Sequence, residues 1–95
     1  MGVGKHYVSQ HALDRLRTRW PDASSRDDRT LIEFAATAIE NAERAKTTLR
    51  TPSGTYVPFS MDGKDGYFVV RRDRVVTAVG AEYCPEVNAL VEERQ

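Results

Sequence analysis

The sequence predicts an α+β domain in which two N-terminal helices pack on a four-stranded antiparallel meander, with a short C-terminal helix after it. Apolar residues recur at helical spacing as far as about Lys46, whereas from Thr47 onward the period falls to two and β-branched and aromatic residues replace alanine. Turn residues at Pro52-Ser53-Gly54, Asp62-Gly63-Lys64-Asp65-Gly66 and Arg72-Asp73 divide that second half into four extended runs. Helices first and strands second is the order of an α+β fold, with the helices on one sheet face and the other face partly solvated and open to a ligand. Ninety-five residues suit a single domain over 1–95 with a modest core.

Met1 to Lys5 contains two glycines and reads as a frayed end, followed by a short extended piece, His6-Tyr7-Val8, and by Ser9 as N-cap. The first helix is expected from about Gln10 to Trp20, stopped by Pro21. Pro21 to Arg26 reads as a loop, and Ser24, Ser25, Asp27 and Asp28 compete to cap a second helix. In that helix Leu31, Ala35, Ala38, Ala42 and Ala45, joined by Ile32, Phe34 and Ile39, form an apolar stripe whose alanines let another element approach closely. The strands are expected at about Thr48–Pro52, Thr55–Ser60, Tyr67–Arg72 and Arg74–Gly80. Pro58 lacks a backbone donor, so the second of them is irregular there or exposes an edge. Pro85 suits the first position of a C-terminal helix ending near Glu93.

A formal net charge of zero removes any argument for nucleic-acid binding from the whole-protein field. The distribution is less even: Lys5, Arg15, Arg17 and Arg19 make the start of the chain basic, and Glu82, Glu86, Glu92 and Glu93 make its end acidic. Eleven of the fourteen basic residues are arginine, whose planar fork suits bidentate phosphate contacts, although genome composition produces the same bias. Cys84 is the sole cysteine, which excludes an intramolecular disulfide and a multi-cysteine zinc site and suits a reducing cytoplasm. With no signal-peptide pattern and no long apolar run, a soluble, unprocessed cytoplasmic protein without a membrane partner is expected. No cofactor motif is present: Gly63-Lys64-Asp65-Gly66 is not a phosphate loop, because no helix follows it.

The candidate chemistry lies on the first helix. Residues four apart stand one above another, so His11, Arg15 and Arg19 form a polar ridge beside the apolar stripe of Ala12, Leu13, Leu16 and Trp20. Cleaving RNA without a metal requires a base for the 2′-hydroxyl proton, an acid for the leaving oxygen and cations for the charge that develops on phosphorus. Histidine and arginine supply these, and a first-turn histidine sits where orphan N–H groups attract anions. The same row also describes an ordinary solvated helix face.

Other candidates are less constrained. His6 pairs with His11 as acid and base only if the fold brings them together, and a zinc site from His6, His11 and Cys84 lacks recognisable ligand spacing. If Val75, Thr77 and Val79 share one face, Thr77 is a hydroxyl in an apolar row; β-branched packing explains it equally well. Arg71, Arg72 and Arg74 cluster at a hairpin tip, where they can meet phosphates or simply keep the tip soluble. Tyr7, Tyr56, Tyr67 and Tyr83 are the residues available for base stacking or as hydroxyl donors.

The segment Val8 to Arg19, with its Ser9-Gln10-His11-Ala12 start and the arginines at 15 and 19, resembles the "S-x-HA-x-x-R-x-x-x-R" helix of the barnase, EndoU, colicin and RelE-like (BECR) ribonuclease toxin superfamily, including BrnT-type toxins and phage-encoded relatives. The strand Val75-Val76-Thr77-Ala78-Val79 is similar to the terminal hairpin of that group, and the resemblance extends over residues 6 to 80. It implies N-terminal helices on a four-stranded antiparallel sheet and metal-independent cleavage of RNA. His11 would be acid or base, Arg15 and Arg19 would hold phosphate, Thr77 would orient the substrate or a catalytic neighbour, and an antitoxin would be a partner. The chain departs from the group in its neutral charge and in having no lysine obviously placed for catalysis, since Lys46 and Lys64 lie elsewhere. The competing expectation is a non-catalytic bacterial or phage protein that binds and modulates a host protein through its sheet face or acidic C-terminus.

Overall fold

The computed structural model describes residues 7–81. The expectations for Met1 to Lys5, His6, Tyr83, Cys84 and the helix from Pro85 fall outside these residues. Within them the chain runs β1 (Tyr7–Val8), α1 (Gln10–Arg19), α2 (Pro21–Ser24), α3 (Asp28–Ala45), β2 (Leu49–Thr51), β3 (Gly54–Met61), β4 (Lys64–Arg71) and β5 (Arg74–Gly80). The α+β class is as expected, with helices packed on a sheet. The four-stranded antiparallel meander is corrected to a five-stranded mixed sheet of order β1-β5-β4-β3-β2, with β1 parallel to β5. Tyr7 N–H donates to Asp73 O at 3.1 Å and Ser9 N–H to Val75 O at 3.0 Å. The entering chain is thus held on the edge of β5, a non-local pairing that two residues of alternation cannot announce.

Ser9 then caps α1. Its hydroxyl accepts from Ala12 N–H at 3.1 Å, and Trp20 terminates the helix before Pro21. The expected loop after it is instead the single turn α2: Pro21 begins it, and Ser24 Oγ and Ser25 Oγ donate to the carbonyls of Pro21 and Asp22. A proline at the first position forfeits no helical bond, and the buried Ala23 ties this turn to the core. There are therefore three helices before the main strands, not two. Asp27 wins the competition to cap α3, accepting from Thr30 N–H at 2.9 Å, and Lys46 ends the helix in the left-handed region at φ 59°.

Three two-residue turns connect the antiparallel strands. Asp62-Gly63 turns at φ 54° and 76°, so β4 already begins at Lys64 and the looser turn expected over 62–66 is corrected. Positive φ at both positions gives the turn whose twist matches that of the flanking strands. Arg72-Asp73 does the same at φ 50° and 62° without a glycine. Alternation from the Met61↔Lys64 pair places the backbone of Pro58 on the side of β3 away from β4. β2 pairs only as far as Tyr56 and does not reach it. Pro58 thus sits on an exposed edge and interrupts no ladder.

β5 carries one extra residue. Val70 pairs with Val75 but Val69 with Thr77, leaving Val76 as a bulge. Ser9 reads this bulge directly, donating its hydroxyl to Val76 O at 3.2 Å. The bulge also reverses the faces: Val75 and Ala78 are buried toward the helices, and Thr77 and Val79 point the other way. The expected row of Val75, Thr77 and Val79 on one face does not form.

The main core lies between the helices and the sheet. α1 contributes Ala12, Leu13 and Leu16, α3 contributes Leu31, Ala35, Ile39 and Ala42, and the sheet contributes Val57, Phe59, Met61, Phe68, Val75 and Ala78. Phe59 and Phe68 stack with centroids 4.2 Å apart, and the edge of Phe34 meets both. Trp20 closes the end of this core. Its ring lies on Gly66, its indole N–H donates to Lys64 O at 3.1 Å, and its centroid is 4.9 Å from Phe59. The opposite face carries a smaller cluster, Leu49 and Tyr67 with Tyr56, Val79 and Ala81. Among the described residues no helix is long and apolar enough to cross a membrane.

Candidate functional site

The ridge on α1 forms because its apolar neighbours are consumed by the core. Ala12, Leu13 and Leu16 are buried, which turns His11 and Arg15 outward to solvent and leaves Arg19 half-buried at the helix end. Arg15 Nε donates to His11 Nε2 at 3.5 Å, a long hydrogen bond between side chains one turn apart. A guanidinium can only donate, so His11 Nε2 is the acceptor in this contact. The acid on this helix is held elsewhere, since Gln10 Nε2 donates to Asp14 Oδ1 at 3.0 Å.

The other arginine of the helix has a different task. Arg17 pairs with Asp28 at 2.7 Å and donates to Arg26 O at 2.9 Å, tying α1 to the start of α3. At the end of the ridge Lys64 Nζ donates to Arg19 O at 2.7 Å and stands 5.2 Å from the centroid of Trp20. Lys64 therefore satisfies a helix-terminal carbonyl.

Of the four residues expected at a site, the fold brings His11 and Arg15 into contact and carries Arg19 on the same row. Thr77 lies on the other face of the sheet, opposite Val69, with the sheet between it and the core face of α1. Among the described residues no polar or charged side chain is fully buried, and no group of three or more His, Cys, Asp or Glu is placed to hold a metal. The ridge thus offers an imidazole nitrogen and guanidinium donors at a solvated surface. Such a set can bind a phosphodiester and accept a proton.

Two features escaped the sequence reading. One is a cavity of about 240 Å³ between α3 and the β2 end of the sheet, lined among others by Glu43, Thr48, Arg50, Thr55, Arg72 and Asp73. Only the register Arg50↔Thr55 and the positive-φ turn bring these side chains together, and neither has a signature in spacing. The other is the pairing of Tyr7 with Arg74, whose guanidinium carbon lies 5.2 Å from the ring centroid. It follows from the parallel register of β1 on β5. Two more clefts are apolar: one of about 350 Å³ between α3 and Pro58 of β3, and one of about 470 Å³ over Pro58, Tyr67 and Ala81. None of these three cavities is lined by His11, Arg15, Arg19 or Thr77.

Compared with known protein families, with characterised proteins and with solved structures, this chain matches none.

Proposed function

We propose that the protein is a small toxin-like, ribonuclease-like domain that binds RNA through α1 and cleaves it without a metal. The observation that carries this reading is the contact of Arg15 Nε with His11 Nε2 on an exposed row that continues to Arg19. A phosphodiester arriving at the ridge offers Arg15 a charge-assisted partner stronger than the imidazole nitrogen. Arg15 turns to the phosphate, and the Nε2 lone pair is released at the moment substrate is present. Nε2 then takes the 2′-hydroxyl proton while the 2′-oxygen attacks phosphorus. The bond to the 5′-oxygen breaks, the imidazolium returns a proton to that oxygen, and a 2′,3′-cyclic phosphate and a 5′-hydroxyl result. Arg15 and Arg19 hold the phosphoryl oxygens as their charge grows. In this reading Thr77, on the sheet face away from α1, takes no part in the step at phosphorus, and the cell would hold the activity in check with an antitoxin.

The test is cleavage of total RNA by the purified chain in EDTA, comparing wild type with His11→Ala and Arg15→Ala. Chelator-resistant cleavage that disappears in both variants supports the reading. No cleavage by the folded wild type removes it.

One observation favours a second reading. Among the described residues His11 and Arg15 are exposed, and neither they nor Arg19 line any of the three cavities described above, whereas most reaction centres sit in a pocket that excludes water. A non-catalytic bacterial or phage protein that binds and modulates a host protein would need only such a surface. In that case His11→Ala and Arg15→Ala alter capture of a protein partner while RNA stays intact.

A further inference from the structure

Tyr7 is the one large hydrophobic side chain left exposed among the described residues, at 61 %. The two residues of β1 point to opposite faces: Val8 is buried in the core, and Tyr7 is turned away from it. Among the described residues the hydrophobic core gives this ring no packing partner. The parallel register sets Tyr7 beside Arg74, and the guanidinium lies within cation–π distance of the ring. The arginine covers one side of the ring and restrains it, leaving the rest open to solvent. A flat, restrained aromatic surface backed by a cation matches the stacking surface of a nucleobase, and any base has the π face it requires.

Its position relative to the ridge is fixed by the chain itself. His11 follows Tyr7 by four residues, a separation of at most about 14 Å along the backbone. Tyr7 faces away from the helices on the edge strand β1, so a single strand that passes round this edge reaches both. We propose that Tyr7, backed by Arg74, is a stacking platform for a base of single-stranded RNA whose phosphate lies on the His11 and Arg15 ridge. This rests on the RNA-binding reading given above.

The experiment measures affinity of the full chain for a mixed-sequence oligoribonucleotide that is 2′-O-methylated throughout, by fluorescence anisotropy over a series of salt concentrations. Methylation removes the attacking hydroxyl, so binding is read without cleavage. Tyr7→Ala is expected to weaken binding on the order of tenfold at every salt concentration, and Tyr7→Phe to leave it close to wild type. Stacking releases no counterions, so the slope of log K against log salt stays unchanged in Tyr7→Ala, whereas Arg15→Ala lowers it by about 0.7. If Tyr7→Ala folds poorly, Tyr7→Leu keeps an apolar strand residue without the ring and is expected to lose as much affinity. An oligonucleotide with abasic positions is expected to bind wild type as weakly as Tyr7→Ala binds the intact strand. Undiminished binding by Tyr7→Ala, alongside weakened binding by Arg15→Ala, overturns the platform and leaves the RNA reading standing. No binding by wild type overturns both.

Discussion

Replacing Gly66 by alanine tests how tightly the end of α1 is locked to the sheet. A Cβ built on Gly66 would stand 2.3 Å from Trp20 Cζ2, 2.7 Å from Cη2 and 2.7 Å from Val79 O. Carbon atoms pack at about 3.5 Å, so the indole must withdraw by roughly 1.2 Å. It is not free to do so: its N–H is bonded to Lys64 O at 3.1 Å and its ring leans on Phe59. Overpacking of this kind costs about 1–3 kcal/mol, and an indole N–H pulled from its buried acceptor adds about 1–3 kcal/mol. We expect a total near 3 kcal/mol, which lowers the melting temperature of a domain this size by roughly 12–24 °C. The assay is urea unfolding followed by far-UV circular dichroism, which remains usable when the tryptophan is removed. Trp20→Phe deletes the two clashing carbons, so in that background Gly66→Ala should cost about 1 kcal/mol, the residue of the Val79 contact. A wild-type stability for Gly66→Ala, or the same cost in both backgrounds, would refute the account of the locked indole.

Further outcomes follow from single contacts. Ser9→Ala removes both the cap of α1 and the bond to the bulge carbonyl, and is expected to cost about 1–2 kcal/mol in the same unfolding assay. Gly63 has no atom near its Cβ position but a φ of 76°, so Gly63→Ala is expected to cost about 1 kcal/mol from backbone strain alone, and Gly63→Asn less. The side-chain and backbone hydrogen bonds from Thr30 hold the Asp27 carboxyl below its ordinary 3.8. Its cap is therefore fully effective above that value and weakens as pH falls through the lowered folded value. The stability advantage of wild type over Asp27→Ala should accordingly be constant at neutral pH and shrink on acidification, as read from melts over an acid series.

The sequence displayed what local chemistry decides. Ser9 and Pro21 bracket α1, Asp27 is among the residues that compete to cap α3, and the turn residues at 52–54, 62–66 and 72–73 mark the hairpins, although the second turn is confined to 62–63. What it did not display depends on residues far apart in the chain. The pairing of β1 with β5 joins Tyr7 to Arg74, and a two-residue strand has too little alternation to reveal it. The Val76 bulge places Thr77 on the other face, because a single inserted residue inverts every side chain beyond it. For the site, the contact of Arg15 with His11 was legible as an i, i+4 pair, whereas the Tyr7 and Arg74 pair was not, since it waits on the same distant register. α2 was missed for a different reason: one turn is shorter than the period that reveals a helix.

The bond from Ser9 to Val76 also bears on the order in which the molecule assembles. It joins positions 67 residues apart, so the loop it closes contains nearly everything else that is described. Closing so long a loop carries an entropic cost that only a formed β4–β5 hairpin can offset. The bond that anchors the start of α1 to the β5 bulge therefore forms late, whereas the Ser9 cap itself, made to Ala12 N–H three residues on, is local to the helix. The loss of the Val76 carbonyl bond in Ser9→Ala should then appear mainly as faster unfolding, and the helix carrying His11 and Arg15 is fixed to the sheet only once β4 and β5 have paired.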